Sequence, residues 1–171
     1  MTECPWQDCC ECPLSLSRRK TVVPRGGFGR KIMFVGEAPG ADEEREGKTF
    51  VGKSGKLLNR WIEWLGLTEA DVYITNVVKC RPPNNRDPMP EEIEGCKKWL
   101  AFEINALSPY LVVPLGRFAK DVLSHMRDEN VILDLAYGVA LKHPAYYLRK
   151  GAYDAPTEEL GFLKKRIEGL G

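Results

Sequence analysis

Nine consecutive residues restrict this chain most: Ile32-Met33-Phe34-Val35, followed at once by Gly36-Glu37-Ala38-Pro39-Gly40. The apolar run predicts a buried strand. Two glycines and a proline behind it rule out both a continuing strand and an immediate helix. A strand that stops in such a turn bares backbone N–H groups at its carboxyl end, where open α/β sheets bind ligands. An acidic and basic segment, Asp42 to Lys48, comes next, and then a loop from Gly47 to Gly55 that carries Phe50 and Val51. The turn alone suits an ordinary strand-to-helix connection equally well, so the remainder of the chain decides.

Beyond it the pattern alternates. Leu57, Leu58, Trp61, Ile62 and Leu65 share a helical face that Gly66 ends. Val72-Tyr73-Ile74-Thr75 predicts a second strand ending at Asn76, and a rigid basic loop from Val77 to Pro88 follows. Pro90, Glu91 and Glu92 suit the start of a helix, on which Ile93, Cys96, Leu100 and Ile104 share a face. Tyr110 to Leu115 predicts a third strand, Arg117 to His125 a helix, and Gly138 to Leu141 a weaker fourth strand running into His143-Pro144. A short helix and a last helix capped near Thr157 finish the chain. Alternation of this kind predicts an α/β fold: a central parallel sheet of about four strands with helices on both faces. Glu37, Asn76 and His143 each lie just past the carboxyl end of a different strand, so they can converge on one pocket.

A length of 171 residues suits one domain, 1–171, with an amino-terminal arm over 1–29. The chain has no apolar run of membrane-spanning length and no leader pattern at its start, so a cytoplasmic protein is expected. A net charge of +1 leaves nucleic-acid binding to local basic patches. Six cysteines without an export signal point to metal or redox chemistry before disulfides. Cys9-x-x-Cys12 with Cys80 and Cys96 makes four thiolates, which suit either structural zinc or an iron–sulfur cluster. Packed, unreactive core cysteines are the plain alternative for the distal pair, and Cys4 and Cys10 are left over.

The turn GEAPG after a strand, then FVG, TNVVKCRPPNNRDP, a cysteine one helix further on, and HPAYYLR occur in that order. Together they resemble the family 4 uracil-DNA glycosylases, the thermostable iron–sulfur kind, from Cys9 to about Arg149. The resemblance implies that family's three-layer sandwich and a [4Fe-4S] cluster on Cys9, Cys12, Cys80 and Cys96. It also implies hydrolysis of the bond between uracil and deoxyribose in single- or double-stranded DNA, as in base excision repair. Two departures stand out: the segment between Gly116 and His143 is short for the family, and the residue after Asn105 belongs to a helix that usually opens differently. Compared with better-known glycosylases that carry a catalytic Asp in this turn, Ala38 occupies the corresponding place, which leaves the water-activating role open.

On that reading each residue acquires a role, set against an ordinary structural one. Asn76 offers an amide that matches uracil N3–H and O4 and mismatches cytosine; otherwise it closes a turn. Phe50 would stack on the flipped base, or else packs in the core. By resemblance Glu43 lies at the uracil C5 edge, where thymine's methyl would clash, and backbone N–H groups around Ala38 contact the base. His143 would stabilise the charge that moves onto the ring, and Glu37 would orient water or stabilise the sugar cation. Arg81, Arg86 and Arg149, with Lys79 and Lys150, would hold phosphates. A cluster-bearing module that recognises uracil or damage in DNA without excising it is the alternative from another class. A monomer is expected, sliding-clamp binding stays open, and the single glutamine, Gln7, points toward a thermophile.

Overall fold

The computed structural model describes residues 4–132, 139–154 and 156–169. Its strands are β1 (Arg25–Gly26), β2 (Ile32–Gly36), β3 (Val72–Asn76) and β4 (Leu111–Pro114), in the order β1-β3-β2-β4. Helices α1 (Leu14–Ser17), α2 (Ala41–Glu46), α3 (Lys53–Trp64), α4 (Pro90–Leu107), α5 (Arg117–Asp128), α6 (Pro144–Arg149) and α7 (Thr157–Glu168) surround them.

The central strand is β2, paired parallel with β3 on one side and β4 on the other. Every residue of these three strands is buried, as a sheet covered on both faces requires. Alternation divides them between two cores. Ile32, Phe34, Val72, Ile74, Leu111 and Val113 pack with α3 and α7 residues such as Leu58, Trp61, Leu160 and Leu163. Met33, Val35, Tyr73 and Val112 pack with Cys96, Leu100 and Ile104 of α4 and Leu123 of α5. The three layers therefore follow directly from the period of two along each strand.

The expected fourth strand differs. Gly138 lies outside the described residues, and within 139–141 only Leu141 pairs, in a single parallel bridge to Leu115. The fourth strand is instead β1, antiparallel to β3, which makes the sheet mixed. Two residues with a glycine at φ +96° carry no alternation to read, and this is why the pattern misses them. The arm before β1 is docked: Trp6 is buried and its Nε1–H donates to the Val22 carbonyl at 3.3 Å. Among the described residues no helix is long and apolar enough to cross a membrane.

Candidate active site and cysteine centre

The carboxyl ends of β2 and β3, with the segment that follows Leu141, open into one pocket of about 470 Å³. Glu37, Ala38, Glu43, Phe50, Asn76, Arg86, His143 and Arg149 all line it, joined by Asp87 and Asn85 from the basic loop. Its size falls within the range of small-molecule sites. Glu37, Asn76 and His143, far apart in the chain, thus meet as the sequence predicts, although His143 follows a single bridge and not the expected strand.

The floor depends on a missing side chain. Gly36 and Asn76 are register partners across β2 and β3. A Cβ on Gly36 would lie 2.4 Å from Asn76 Oδ1 and 2.6 Å from the Phe50 ring, so only glycine lets amide and ring close together. Asn76 is buried, and its Oδ1 has no partner among the described residues. Buried acceptors of this kind are rare and costly unless something else meets them, and this one lines a pocket of ligand size.

Phe50 holds a left-handed backbone, φ +52°, unusual for an aromatic residue. α3 packs close against this peptide: a Cβ on Gly55 would lie 1.6 Å from the Phe50 carbonyl oxygen, so only glycine fits there. Phe50 and His143 rings stand 5.7 Å apart, tilted by 34°.

His143 arrives beside the end of β4. The Leu141 N–H donates to Pro114 O, the Gly116 N–H donates to Leu141 O at 2.7 Å, and Gly116 at φ +93° leaves room for the His143 Cβ. His143 then caps α6, with Ala145 N–H donating to its Nδ1 at 3.2 Å. With Nδ1 accepting, the neutral ring carries its proton on Nε2. Desolvation in the pocket wall, helped by the Arg149 charge, pushes the His143 pKa down to about 4, so the ring is neutral at pH 7.

Glu43 lines the pocket, but its carboxylate is occupied by the backbone. Oε1 accepts from Val51 N–H at 3.0 Å and Gly52 N–H at 2.8 Å, and Oε2 from Gly40 N–H at 3.1 Å. It ties the glycine turn to the Phe50 loop. Glu37 is half-buried, and burial with Asp87 beside it pushes its pKa up to about 7.

The basic residues separate into bound and open. Arg86 grips Glu92 with both Nη atoms, at 2.6 and 2.8 Å, and Arg81 bonds Asn85 at 2.7 Å and Glu44 at 3.4 Å. Arg149 is exposed at the pocket rim. Lys79 corrects the expectation of a phosphate contact, because it is 2% exposed and lies beneath β3. Its Nζ donates to Thr75 Oγ1 at 2.8 Å, to the Asn76 carbonyl at 2.7 Å and to Glu103 Oε2 at 2.5 Å. Glu103, fully buried on α4, also accepts from the Tyr73 and Thr75 hydroxyls. A Glu one position before Ile104, on the stripe set by Cys96 and Leu100, was the signal that could have revealed this pair.

Four cysteines gather behind that pair. Trp99 Nε1–H donates to Cys9 Sγ at 3.3 Å, Lys79 N–H to Cys96 Sγ at 3.3 Å, and Arg18 Nη1–H to Cys80 Sγ at 3.5 Å. Burial pushes the Cys80 thiol up and the Cys96 thiol up to about 12, and neighbouring cysteines add to it, Cys12 and Cys9 at Cys80, Cys80 and Cys12 at Cys96. Gly95 of α4 makes room for Cys12, whose Cβ would stand 2.9 Å from an added methyl. N–H donors aimed at sulfur suit thiolates. Among the described residues, no three His, Cys, Asp or Glu side chains group tightly enough to hold one metal ion. Cys10 is exposed.

A family model described as the uracil DNA glycosylase superfamily matches residues 23–165. A type-4 uracil-DNA glycosylase of Archaeoglobus fulgidus is 48% identical over 120 residues, covering 70% of this chain and 60% of that protein. One from Thermotoga maritima is 47% identical over 111 residues, 65% of this chain and 58% of its own. A type-5 uracil-DNA glycosylase of Thermus thermophilus is 33% identical over 147 residues, 67% of each chain. The chain thus spans somewhat under two thirds of the type-4 relatives it matches.

Proposed function

This chain belongs to the uracil DNA glycosylase superfamily, and from that premise we propose that it hydrolyses the N-glycosidic bond of uracil in DNA, leaving an abasic site. The observation that carries the reading is the Asn76 oxygen, buried without a partner among the described residues, in a pocket closed by Phe50 and His143. A flipped uracil lying against Phe50 places its N3–H before that acceptor, while the amide N–H₂ faces O4. His143, neutral with its proton on Nε2, donates to the O2 edge as the bond breaks and negative charge enters the ring. Glu37, ionised above about pH 7, takes a proton from the water that attacks C1′. Uracil release from a uracil-containing oligonucleotide, followed by alkaline cleavage at the abasic site, tests this; an intact strand refutes it.

Arg149 is the open cation at the rim, so Arg149→Ala is expected to weaken DNA binding and lower the salt slope by about one. Titration of a fluorescent oligonucleotide at several salt concentrations measures it. Arg86, held by Glu92, contributes through the shape of its loop.

Cys9, Cys12, Cys80 and Cys96 hold a [4Fe-4S] cluster in this reading. A cluster brings its own iron and sulfide, so its cysteines stand farther apart than the roughly 2.3 Å bonds around a single zinc allow. When bound, the group supplies a cross-link between the arm, the basic loop and α4. The purified protein is expected to be brown and to contain iron and acid-labile sulfide in equal amounts. Cys80→Ala should lose both and melt about 10 °C lower.

A further inference from the structure

We propose that Asp87 is a positioning residue for Glu37: the two carboxyl groups meet in a hydrogen bond at the pocket wall, and Asp87 holds Glu37 on the line of the attacking water. The inference rests on the hydrolytic reading above. Both residues line the pocket, although they enter it from different places, Glu37 from the end of β2 and Asp87 from the loop before α4.

That loop is built to aim Asp87. Asn84 and Asn85 both take left-handed backbone at φ +55° and +54°, and Arg81 Nε pins the Asn85 side chain. Arg86 Nη1 donates to the Asp87 carbonyl at 3.0 Å while the same guanidinium grips Glu92, which is 1% exposed. Glu92 in turn accepts from Met89 N–H at 2.8 Å. The backbone beside Asp87 is therefore fixed, with Pro88 behind it, and Asp87 lines the same pocket wall as Glu37.

A second carboxylate beside Glu37 disfavours the charged form of Glu37. The other charged groups around the pocket are Glu43, Arg86, His143 and Arg149. Glu43 is occupied by three backbone N–H groups and Arg86 by Glu92. Burial and Asp87 are what bear on Glu37. Glu37 starts as carboxylate. The water oxygen bonds to C1′, its proton passes to Glu37, the C1′–N1 bond breaks, and the electron pair leaves with uracil as its anion, beside the His143 Nε2–H. Asp87 touches no reacting atom; it fixes where Glu37 points and at what pH Glu37 is free to accept.

The sign is definite. Glu37 has a raised pKa, so it is protonated below the midpoint and acts as base above it. Asp87→Asn removes a like charge and supplies an amide donor to the carboxylate, so the midpoint falls, by about 1–2 pH units. The experiment follows the Glu37 carboxyl carbon by NMR with pH in the wild-type chain and in Asp87→Asn, using Glu37→Gln to assign the signal. Single-turnover uracil excision is measured over the same pH range. A lowered midpoint, matched by an equal downward shift of the acidic limb of the rate, is the expected result. An unmoved midpoint overturns the pairing, and a moved midpoint with an unmoved limb overturns the positioning role. A wild-type chain that leaves uracil in place removes the hydrolytic reading instead, while the NMR titration still decides the pairing. Asp87 is exposed, so its replacement leaves the core intact.

Discussion

Asn76→Ala is expected to reduce kcat/KM on uracil-containing DNA by about 10²- to 10³-fold, the usual effect of deleting one precisely placed polar partner in an active site. The loss should fall on base recognition. Asn76 Oδ1 has no partner among the described residues, so its removal orphans no donor there. Its melting temperature should therefore shift by less than about 4 °C. Rate and stability separate in this variant, and that separation is the test. A large drop in melting temperature with an equal fall in folded fraction would mean that Asn76 acts as a brace. Free uracil, which the same amide should bind, offers a second readout: its inhibition of the reaction should weaken with the rate.

The second large effect lies below the pocket. Glu103→Leu removes the carboxylate that meets Lys79 Nζ and leaves a buried ammonium with Thr75 Oγ1, the Asn76 carbonyl and the Trp6 ring. Losing one member of a buried pair costs about 3–5 kcal/mol. In a domain of this size that lowers the melting temperature by roughly 10 °C. Adding Lys79→Met should restore most of the stability, because the pair as a whole stabilises the fold far less than its break destabilises it. Excision should not recover equally. The Asn76 carbonyl has then lost its anchor, and small displacements of a reading group lower rates on the order of 10- to 100-fold. Thermal melts and single-turnover rates on the two singles and the double measure both halves. Activity returning in step with melting temperature would refute the anchor.

Where the sequence was informative, the reason is that burial leaves few options. Strands covered on both faces appear as unbroken apolar runs, and Ile32 to Val35, Val72 to Thr75 and Leu111 to Val113 could be little else. Glycine and proline marked the turn after β2 because side chains are excluded there, and the ends of two parallel strands located Glu37 and Asn76, while His143 follows a single bridge at Leu141. The parts that escaped are set by pairing. β1 exists because β3 offers it an edge, and its own two residues carry no pattern. Lys79 looked like one more cation in a basic loop until Glu103 came to meet it from α4. Asp87 is one residue of the basic loop, and nothing in the sequence links it to Glu37, fifty positions away, although both line the pocket. Glu43 likewise reads as a solvated charge, and only the fold brings three backbone N–H groups to it.

Gly36 and Gly55 leave a lasting mark on what the protein can become. With a neighbouring atom 2.4 Å or less from any added methyl at either position, the bottom of the cavity has no slack through which substitutions could accumulate. Attempts to redirect such a scaffold toward a larger base would meet rigid backbone there. Room for change lies at the entrance, around Asn85 and Ala145, where side chains can be exchanged without moving a strand.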